Sequence, residues 1–283
     1  MREADRRKQL AKRMKYAVCI CAGIVIGIIA GICIGIDYNK TTRSTPALYT
    51  EMEHGLELTP GELANLIYDN YWNYIKKSYI IVGDDKETAQ LYKISSKVAR
   101  HNYDLERFQL DDNGYMSYSD DKIKHAKLGI DVSSHQGSID WDQVKEAGIQ
   151  FAMIRLGYRG YTQGGLALDD SYVTNIETAL EAEMPVGVYF YTQAVSYDEG
   201  VEEAQYVLQN IADYKISYPV VIDTEKMEAE GARANDISNE ERTDAIVGFC
   251  ETIKDAGYTP MIYANRNWYA QNLDMDRLGD YQL

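Results

Sequence analysis

The sequence predicts an α/β fold in which parallel strands form a sheet and helices cover it. Two observations support this fold class: apolar β-rich runs alternate with helical segments, and capping residues mark where those helices begin. Strands with such apolar sequences are typical of buried parallel sheets. The five runs are LGIDVSS (128–134), FAMIRLGY (151–158), VGVYFYTQ (186–193), YPVVIDTE (218–225) and YTPMIYAN (258–265). A barrel and a doubly wound sheet both agree with this pattern.

Capping patterns predict the helices between these runs. An N-cap residue is followed three positions later by an acid or amide at Asp140 with Gln143, Ser196 with Glu199, and Ser238 with Glu241. Gly148 and Gly257 provide helix ends, because glycine readily adopts the left-handed backbone that stops a helix. The domain predicted from these elements covers residues 126–283.

The first 36 residues predict a membrane anchor. Residues 1–16 hold seven Lys or Arg and two acids, and residues 17–36 (AVCICAGIVIGIIAGICIGI) hold no charged residue. Twenty apolar residues form a helix long enough to cross about 30 Å of hydrocarbon. The positive-inside rule keeps residues 1–16 in the cytoplasm and places the rest of the chain outside. Small residues every fourth position allow a homodimer through this helix, and they are Gly23, Gly27, Gly31 and Gly35.

Residues 37–125 are predicted to be an extracytoplasmic linker followed by a small, mostly helical spacer. Thr59, Pro60 and Glu62 fit a capping box with proline at the first helical position. Asp112, Asn113 and Gly114 lie between two β-rich segments and predict a turn in a small hairpin. We find no chemistry in this part of the chain, so we interpret it as a stalk.

Charge and cysteine content exclude several classes of protein. The net charge is −15, and since the basic tail contributes +5, the 247 residues after position 36 carry −20. A body this acidic argues against nucleic acid as a partner, because phosphate binding needs a basic face. Cys250 is the only cysteine outside the apolar stretch, so the body is not held by an internal disulfide. No glycine-rich phosphate-binding motif follows a strand, and neither a cofactor nor a metal is indicated.

Carboxyl groups follow two of the predicted strands. Asp131 ends the first run, and Asp223 and Glu225 end the fourth. Side chains alternate along a strand, so Asp223 and Glu225 point to the same side with Cα atoms about 6.6 Å apart. Their like charges should push their pKa values apart and leave one carboxyl protonated. Glycoside cleavage uses such a pair.

Aromatic side chains are predicted at the same edge of the sheet, and tyrosine rings suit stacking on sugar faces. They are Tyr158, Tyr161, Tyr189, Tyr191, Tyr263 and Trp268. A simpler interpretation remains open, in which Asp223 caps the next loop and Glu225 is a solvated surface charge. We interpret His135 as a polar turn residue, and Asp169 and Asp170 as the cap of the second helix.

Four segments of the chain resemble glycoside hydrolase family 25, the muramidases that cut peptidoglycan. They are GIDVSSHQGSIDW (129–141), FAMIRLGYRG (151–160), NIETALEAEMPVGVYFYTQA (175–194) and YPVVIDTE (218–225). The resemblance implies an irregular (β/α) TIM-like barrel that cleaves the β-1,4 bond between N-acetylmuramic acid and N-acetylglucosamine. By the same resemblance Glu225 is the general acid, and Asp223 and Asp131 orient the N-acetyl group and stabilise positive charge.

The family's barrel has about three further strands after the fifth β/α unit, and the last of them adds another aspartate to the site. This sequence ends at Asp280–Leu283 as a sixth strand begins, so we expect a barrel truncated after the fifth unit. The leading interpretation is a membrane-anchored muramidase of a Gram-positive bacterium that remodels or locally opens the wall. A non-catalytic peptidoglycan-binding or scaffolding protein is the alternative. A chitinase is a third option, since a D-x-E strand also serves there.

Overall fold

The computed structural model describes residues 77–83, 89–120 and 126–283, together with residues 75 and 122. The predicted cytoplasmic tail (1–16), the predicted membrane helix (17–36) with its four glycines, and the helix predicted after Thr59 all lie outside the described residues. Within the part that is described, none of the helices has the length and apolar character needed to span a membrane.

The described part of the spacer contains two antiparallel strand pairs and a short 3-10 helix at Leu105–Arg107. Strands β1 (Tyr79–Val82) and β2 (Gln90–Lys93) form the first, and β3 (Phe108–Leu110) and β4 (Met116–Tyr118) form the second. The turn predicted at residues 112–114 is confirmed, with Gly114 at a φ of +84°. β-branched residues such as Ile80, Ile81 and Val82 favour extended backbone here. Residues 37–74 of the spacer, where its main helix is predicted, lie outside the described residues, so its mostly helical character stays a prediction.

The remaining residues form alternating strands and helices. In chain order they are β5 (Gly129–Val132), α1 (Trp141–Glu146), β6 (Phe151–Arg159), β7 (Leu166–Leu168), α2 (Tyr172–Glu181), β8 (Val186–Tyr191), α3 (Tyr197–Ile211), β9 (Val220–Asp223), α4 (Asn239–Asp255), β10 (Pro260–Tyr263), α5 (Arg266–Asn272) and α6 (Met275–Leu278). Asp140, Ser196 and Ser238 each accept a hydrogen bond from the backbone N–H three residues on. The three predicted N-caps are therefore confirmed.

Five parallel strands lie side by side in the order β5, β6, β8, β9, β10, and β7 pairs antiparallel with β6. Each new parallel strand joins the same edge, as in a barrel, whereas a doubly wound sheet reverses its order. Beyond β10, Gln282 pairs in parallel with Met261. Among the described residues no strand connects β5 with β10, so closure into a barrel is not seen in this part of the chain.

One face of the sheet is apolar and covered by helices. Its side chains are buried and alternate along each strand: Ile154, Val188, Ile222 and Ile262 come from four neighbouring strands. Helix α2 packs on β6 and β8, and α4 packs on β9 and β10. Burial of this apolar area supplies the main stabilising free energy of the fold. The polar side chains of these strands are thereby left on the opposite face.

A β-bulge in β6 interrupts this alternation. The pairing of β6 with β8 shifts between Arg155 and Gly157, so that Arg155 lies opposite Tyr189 and Tyr158 lies opposite Tyr191. The extra residue turns Tyr158 to the same face as Arg155. Arg159 consequently points to the face covered by helices, where it contacts α3.

Candidate active site

Asp131, Asp223 and Glu225 lie on the face of the sheet opposite the helices, at the carboxyl ends of their strands. Asp131 is the third residue of β5 and is exposed, whereas Asp223 ends β9 and is only 8% exposed. Glu225 follows two residues later and is half-buried. The structure thus brings the three predicted carboxyls to one edge, where α/β folds place their chemistry.

Electrostatics couple these three groups. Burial, together with the charges of Glu225 and Asp131, raises the pKa of Asp223 to about 8, although the charge of Arg155 opposes the rise. One carboxylate oxygen of Asp223, Oδ1, is buried without a hydrogen-bond partner. The raised pKa favours the protonated form of Asp223 at neutral pH.

Four of the predicted tyrosines surround the carboxyls. In the register of the sheet, Tyr191 and Tyr263 lie on either side of Asp223. Tyr263 and Tyr158 are among the exposed aromatic residues, with Tyr263 52% exposed. Burial raises the pKa values of Tyr189 and Tyr191 to about 12, so both keep their hydroxyl protons as hydrogen-bond donors.

Trp268 differs from its prediction as a sugar-stacking residue. It is 8% exposed, and its indole N–H donates a hydrogen bond of 3.1 Å to Thr224 Oγ1. Its ring also carries the guanidinium of Arg242 at 4.8 Å from the centroid. Helix α5 turns the indole inward, so Trp268 contacts the side chain of Thr224, the residue between Asp223 and Glu225, and is almost fully buried.

The loop after Glu225 is fastened by several side chains. Asn235 exchanges two hydrogen bonds with the backbone of Met227, at 3.1 and 2.7 Å. Arg233 donates to both carboxylate oxygens of Glu199 at 2.7 Å, and its backbone N–H donates to the carbonyl of Tyr161. These contacts restrict where the backbone of Glu225 can move.

Sequence reasoning missed the ion pair between Arg155 and Asp169. Arg155 Nε donates to Asp169 Oδ2 at 2.7 Å, and Asp169 also accepts from the backbone and hydroxyl of Ser134. Burial alone would raise the pKa of Asp169, but hydrogen bonds from Ser171, Arg155 and Ser134 hold it below its ordinary value. The two residues are 14 positions apart, and only the turn through β7 brings them together.

The remaining polar residues near β5 belong to a turn. Ser133 and Gln136 form a capping box there, and His135 is exposed, in agreement with its interpretation as a turn residue. In the part of the chain that the structure describes, no three His, Cys, Asp or Glu side chains are grouped to bind a metal ion.

Comparisons with known proteins point to one family. The sequence profile described as glycosyl hydrolases family 25 matches residues 130–283. An autolytic lysozyme of Clostridium acetobutylicum is 27% identical over 146 residues, which cover 52% of this chain and 40% of that protein. Lysozyme M1 of Streptomyces globisporus is 37% identical over 82 residues, 29% of this chain and 26% of that protein.

Among solved structures, the modular autolysin LytC from Streptococcus pneumoniae superposes with a TM-score of 0.48 at 25% identity. The superposition covers 59% of this chain and 39% of that protein. The matched part of this chain thus spans less than half of the length of each of these relatives.

Proposed function

The chain belongs to glycosyl hydrolase family 25, and on that premise we propose that it cleaves the β-1,4 bond between N-acetylmuramic acid and N-acetylglucosamine in peptidoglycan. The observation that carries the proposal is the coupled group of Asp131, Asp223 and Glu225 at one edge of the parallel sheet. Glycoside cleavage needs a carboxyl that delivers a proton and a second group that stabilises positive charge at the anomeric carbon.

Glu225 is the general acid in this proposal. It is half-buried at the end of β9, so a leaving oxygen can reach it more readily than the nearly inaccessible Asp223. Asp223, whose raised pKa favours its protonated form, can donate a hydrogen bond to the carbonyl of the N-acetyl group. Asp131 is exposed on β5, which β6 and β8 separate from β9, and its negative charge stabilises the cationic transition state.

Tyr158, Tyr189, Tyr191 and Tyr263 form the sugar-binding surface in this proposal. Exposed rings at Tyr158 and Tyr263 offer flat faces to a pyranose, and the half-buried Tyr189 and Tyr191 offer hydroxyl donors. Trp268 is a positioning residue, because it contacts Thr224 from the buried side.

The decisive experiment measures reducing-end release from purified peptidoglycan by the full 283-residue chain in mild detergent. Glu225→Gln should lower the rate by roughly 10²–10⁴-fold, since it removes the proton donor but keeps the shape. Glu181→Gln is the matched control, because Glu181 is exposed at the far end of α2, and it should react at the normal rate. A normal rate in Glu225→Gln would show that another group is the acid.

The same experiment separates two other candidates. A folded chain that binds peptidoglycan but releases no reducing ends would be a non-catalytic binding or scaffolding protein. Release from chitin oligomers at the rate seen with peptidoglycan would indicate a chitinase.

We propose further that residues 17–36 anchor the chain in the cell membrane of a Gram-positive bacterium, with the sheet domain outside the cytoplasm. The support is the uncharged twenty-residue stretch after a basic tail. Protease added to intact spheroplasts should then degrade the domain. Glycines 23, 27, 31 and 35 lead us to propose a homodimer, which crosslinking in membranes would detect.

A further inference from the structure

Arg155 is the positively charged side chain on the site face of β6. Its strand register places it opposite Tyr189, and its guanidinium lies 6.0 Å from the centre of the Tyr158 ring. Its charge opposes the raised pKa of both Asp223 and Tyr189, so it lies close enough to both to act on them. A cation is thereby placed among the three carboxyls.

The hydrogen bonds that hold the guanidinium come from Asp169 and Ser134. Nε and Nη2 contact Asp169 Oδ2 at 2.7 and 2.5 Å, and Nη2 also donates to Ser134 Oγ at 3.1 Å. The carboxylate of Asp169 is fully buried, whereas Arg155 is 18% exposed. Its third nitrogen, Nη1, donates to no residue in the described part of the chain. These contacts therefore fix the guanidinium and leave Nη1 available to a ligand.

The chemistry of the substrate suggests what that donor binds. N-acetylmuramic acid differs from N-acetylglucosamine by a lactyl ether whose acyl oxygens are a carboxylate in bare glycan and an amide carbonyl where a peptide is attached. A cleft that carries carboxylate charge, as at Asp131, repels an anionic substituent unless a cation meets it. Arginine is well suited to this, since its charge and planar donors match carboxylate oxygens.

We propose that Arg155 binds the acyl oxygens of the lactyl group and so selects muramic acid over glucosamine. The proposal rests on the proposed function for its substrate, but it concerns binding and not bond cleavage. Asp169 and Ser134 are positioning residues that orient the guanidinium.

Binding by the Glu225→Gln chain tests the proposal, because this variant keeps the cleft without turnover. Calorimetry compares three tetrasaccharides: one of alternating N-acetylglucosamine and N-acetylmuramic acid, the same molecule with its lactyl carboxyls reduced to alcohols, and chitotetraose. We expect the carboxylate form to bind roughly ten- to a hundredfold more tightly than either of the other two. Adding Arg155→Gln should abolish that preference and leave chitotetraose binding within about twofold. Arg155→Lys should retain part of the preference.

A second arginine provides the control for the loss of charge. Arg277→Gln removes the same charge from an arginine that pairs with Asp244, and it should keep the full preference. Equal weakening of all three sugars by Arg155→Gln, or equal binding of the carboxylate and alcohol forms by the parent chain, overturns the proposal. If Arg155→Gln does not fold, the alcohol probe and Arg155→Lys still decide it. If the wild-type chain has no hydrolytic activity while the Glu225→Gln chain keeps the preference, the proposed function alone is refuted.

Discussion

Arg155 and Arg159 lie four residues apart on β6, and each forms an ion pair with a carboxylate that is fully buried. Every nitrogen of Arg159 donates to the protein: Nε to Glu203, Nη1 to the carbonyl of Gly164, and Nη2 to Glu202 and the carbonyl of Glu199. In Arg155, by contrast, Nη1 donates to no residue in the described part of the chain. Residue type and a buried partner are therefore not enough to distinguish a structural arginine from one that can bind a ligand. The distinguishing feature is the number of N–H donors that the protein itself leaves unused.

The largest loss of stability is expected for Arg159→Leu. It leaves Glu203 fully buried without its cation, and breaking a buried pair from one side costs about 3–5 kcal/mol of unfolding free energy. The urea midpoint of the variant should fall accordingly, with an unchanged m-value. A loss under about 1 kcal/mol, the value of an exposed ion pair, would mean that Arg159 is not a structural clamp.

Asp223 differs from Asp169 and Glu203, because it is a buried carboxyl that forms no ion pair with an arginine in the described part of the chain. The pKa of Asp223 is about 8 in the folded state and lies above its value in the unfolded chain. Between these two pKa values the folded state therefore binds a proton that the unfolded state does not. The stability it contributes is complete below about pH 4 and is lost as the pH rises toward 8. Asp223→Asn should remove this dependence and make the chain about 1–3 kcal/mol more stable than the parent at pH 9.

Urea midpoints at pH 5, 7 and 9 measure that difference. Burial also raises the pKa of Glu203, to about 7, which adds a slope of the same sign in both proteins, so the difference between them isolates Asp223. Parallel pH profiles for the parent and Asp223→Asn would contradict the raised pKa.

Arg155→Gln should cost less stability than Arg159→Leu, about 1–2 kcal/mol. Asp169 keeps its hydrogen bonds from Ser134 and Ser171, and glutamine can donate a further one. Thermal unfolding beside the sugar-binding assay measures both effects on one sample. If Arg155→Gln loses as much stability as Arg159→Leu, Arg155 contributes to the fold as much as Arg159 does, and the distinction between them fails.

The smallest effect is expected at Glu202→Gln. Glu202 pairs with Arg159 at 2.7 Å, but its side chain is 58% exposed. Exposed ion pairs contribute about 0–1 kcal/mol, so the urea midpoint should barely move. A large loss here would show that Arg159 depends on its exposed partner as much as on Glu203.

The sequence predicts the five parallel strands to within a few residues, because each is an apolar run flanked by caps and turns. It also predicts the edge where Asp131, Asp223 and Glu225 meet, since parallel strands end together. The surroundings of Arg155 and Trp268 were not predictable. Strict alternation would place Arg155 and Arg159 on one face, and only the bulge separates them. Trp268 turns inward because Thr224 and Arg242 are positioned by the tertiary fold.

Because the bulge in β6 decides which side chains face the cleft, chain length as well as residue identity determines the surface that the strand offers to a ligand. One more residue inserted after the bulge would reverse the alternation beyond it, so that Arg159 would face the cleft and Tyr158 the helices. Both side chains would be chemically unchanged, yet their environments would be exchanged. Scanning by substitution cannot sample such a change, whereas natural insertions and deletions can. A single-residue change in the length of this strand would therefore alter the cleft surface without altering any side chain.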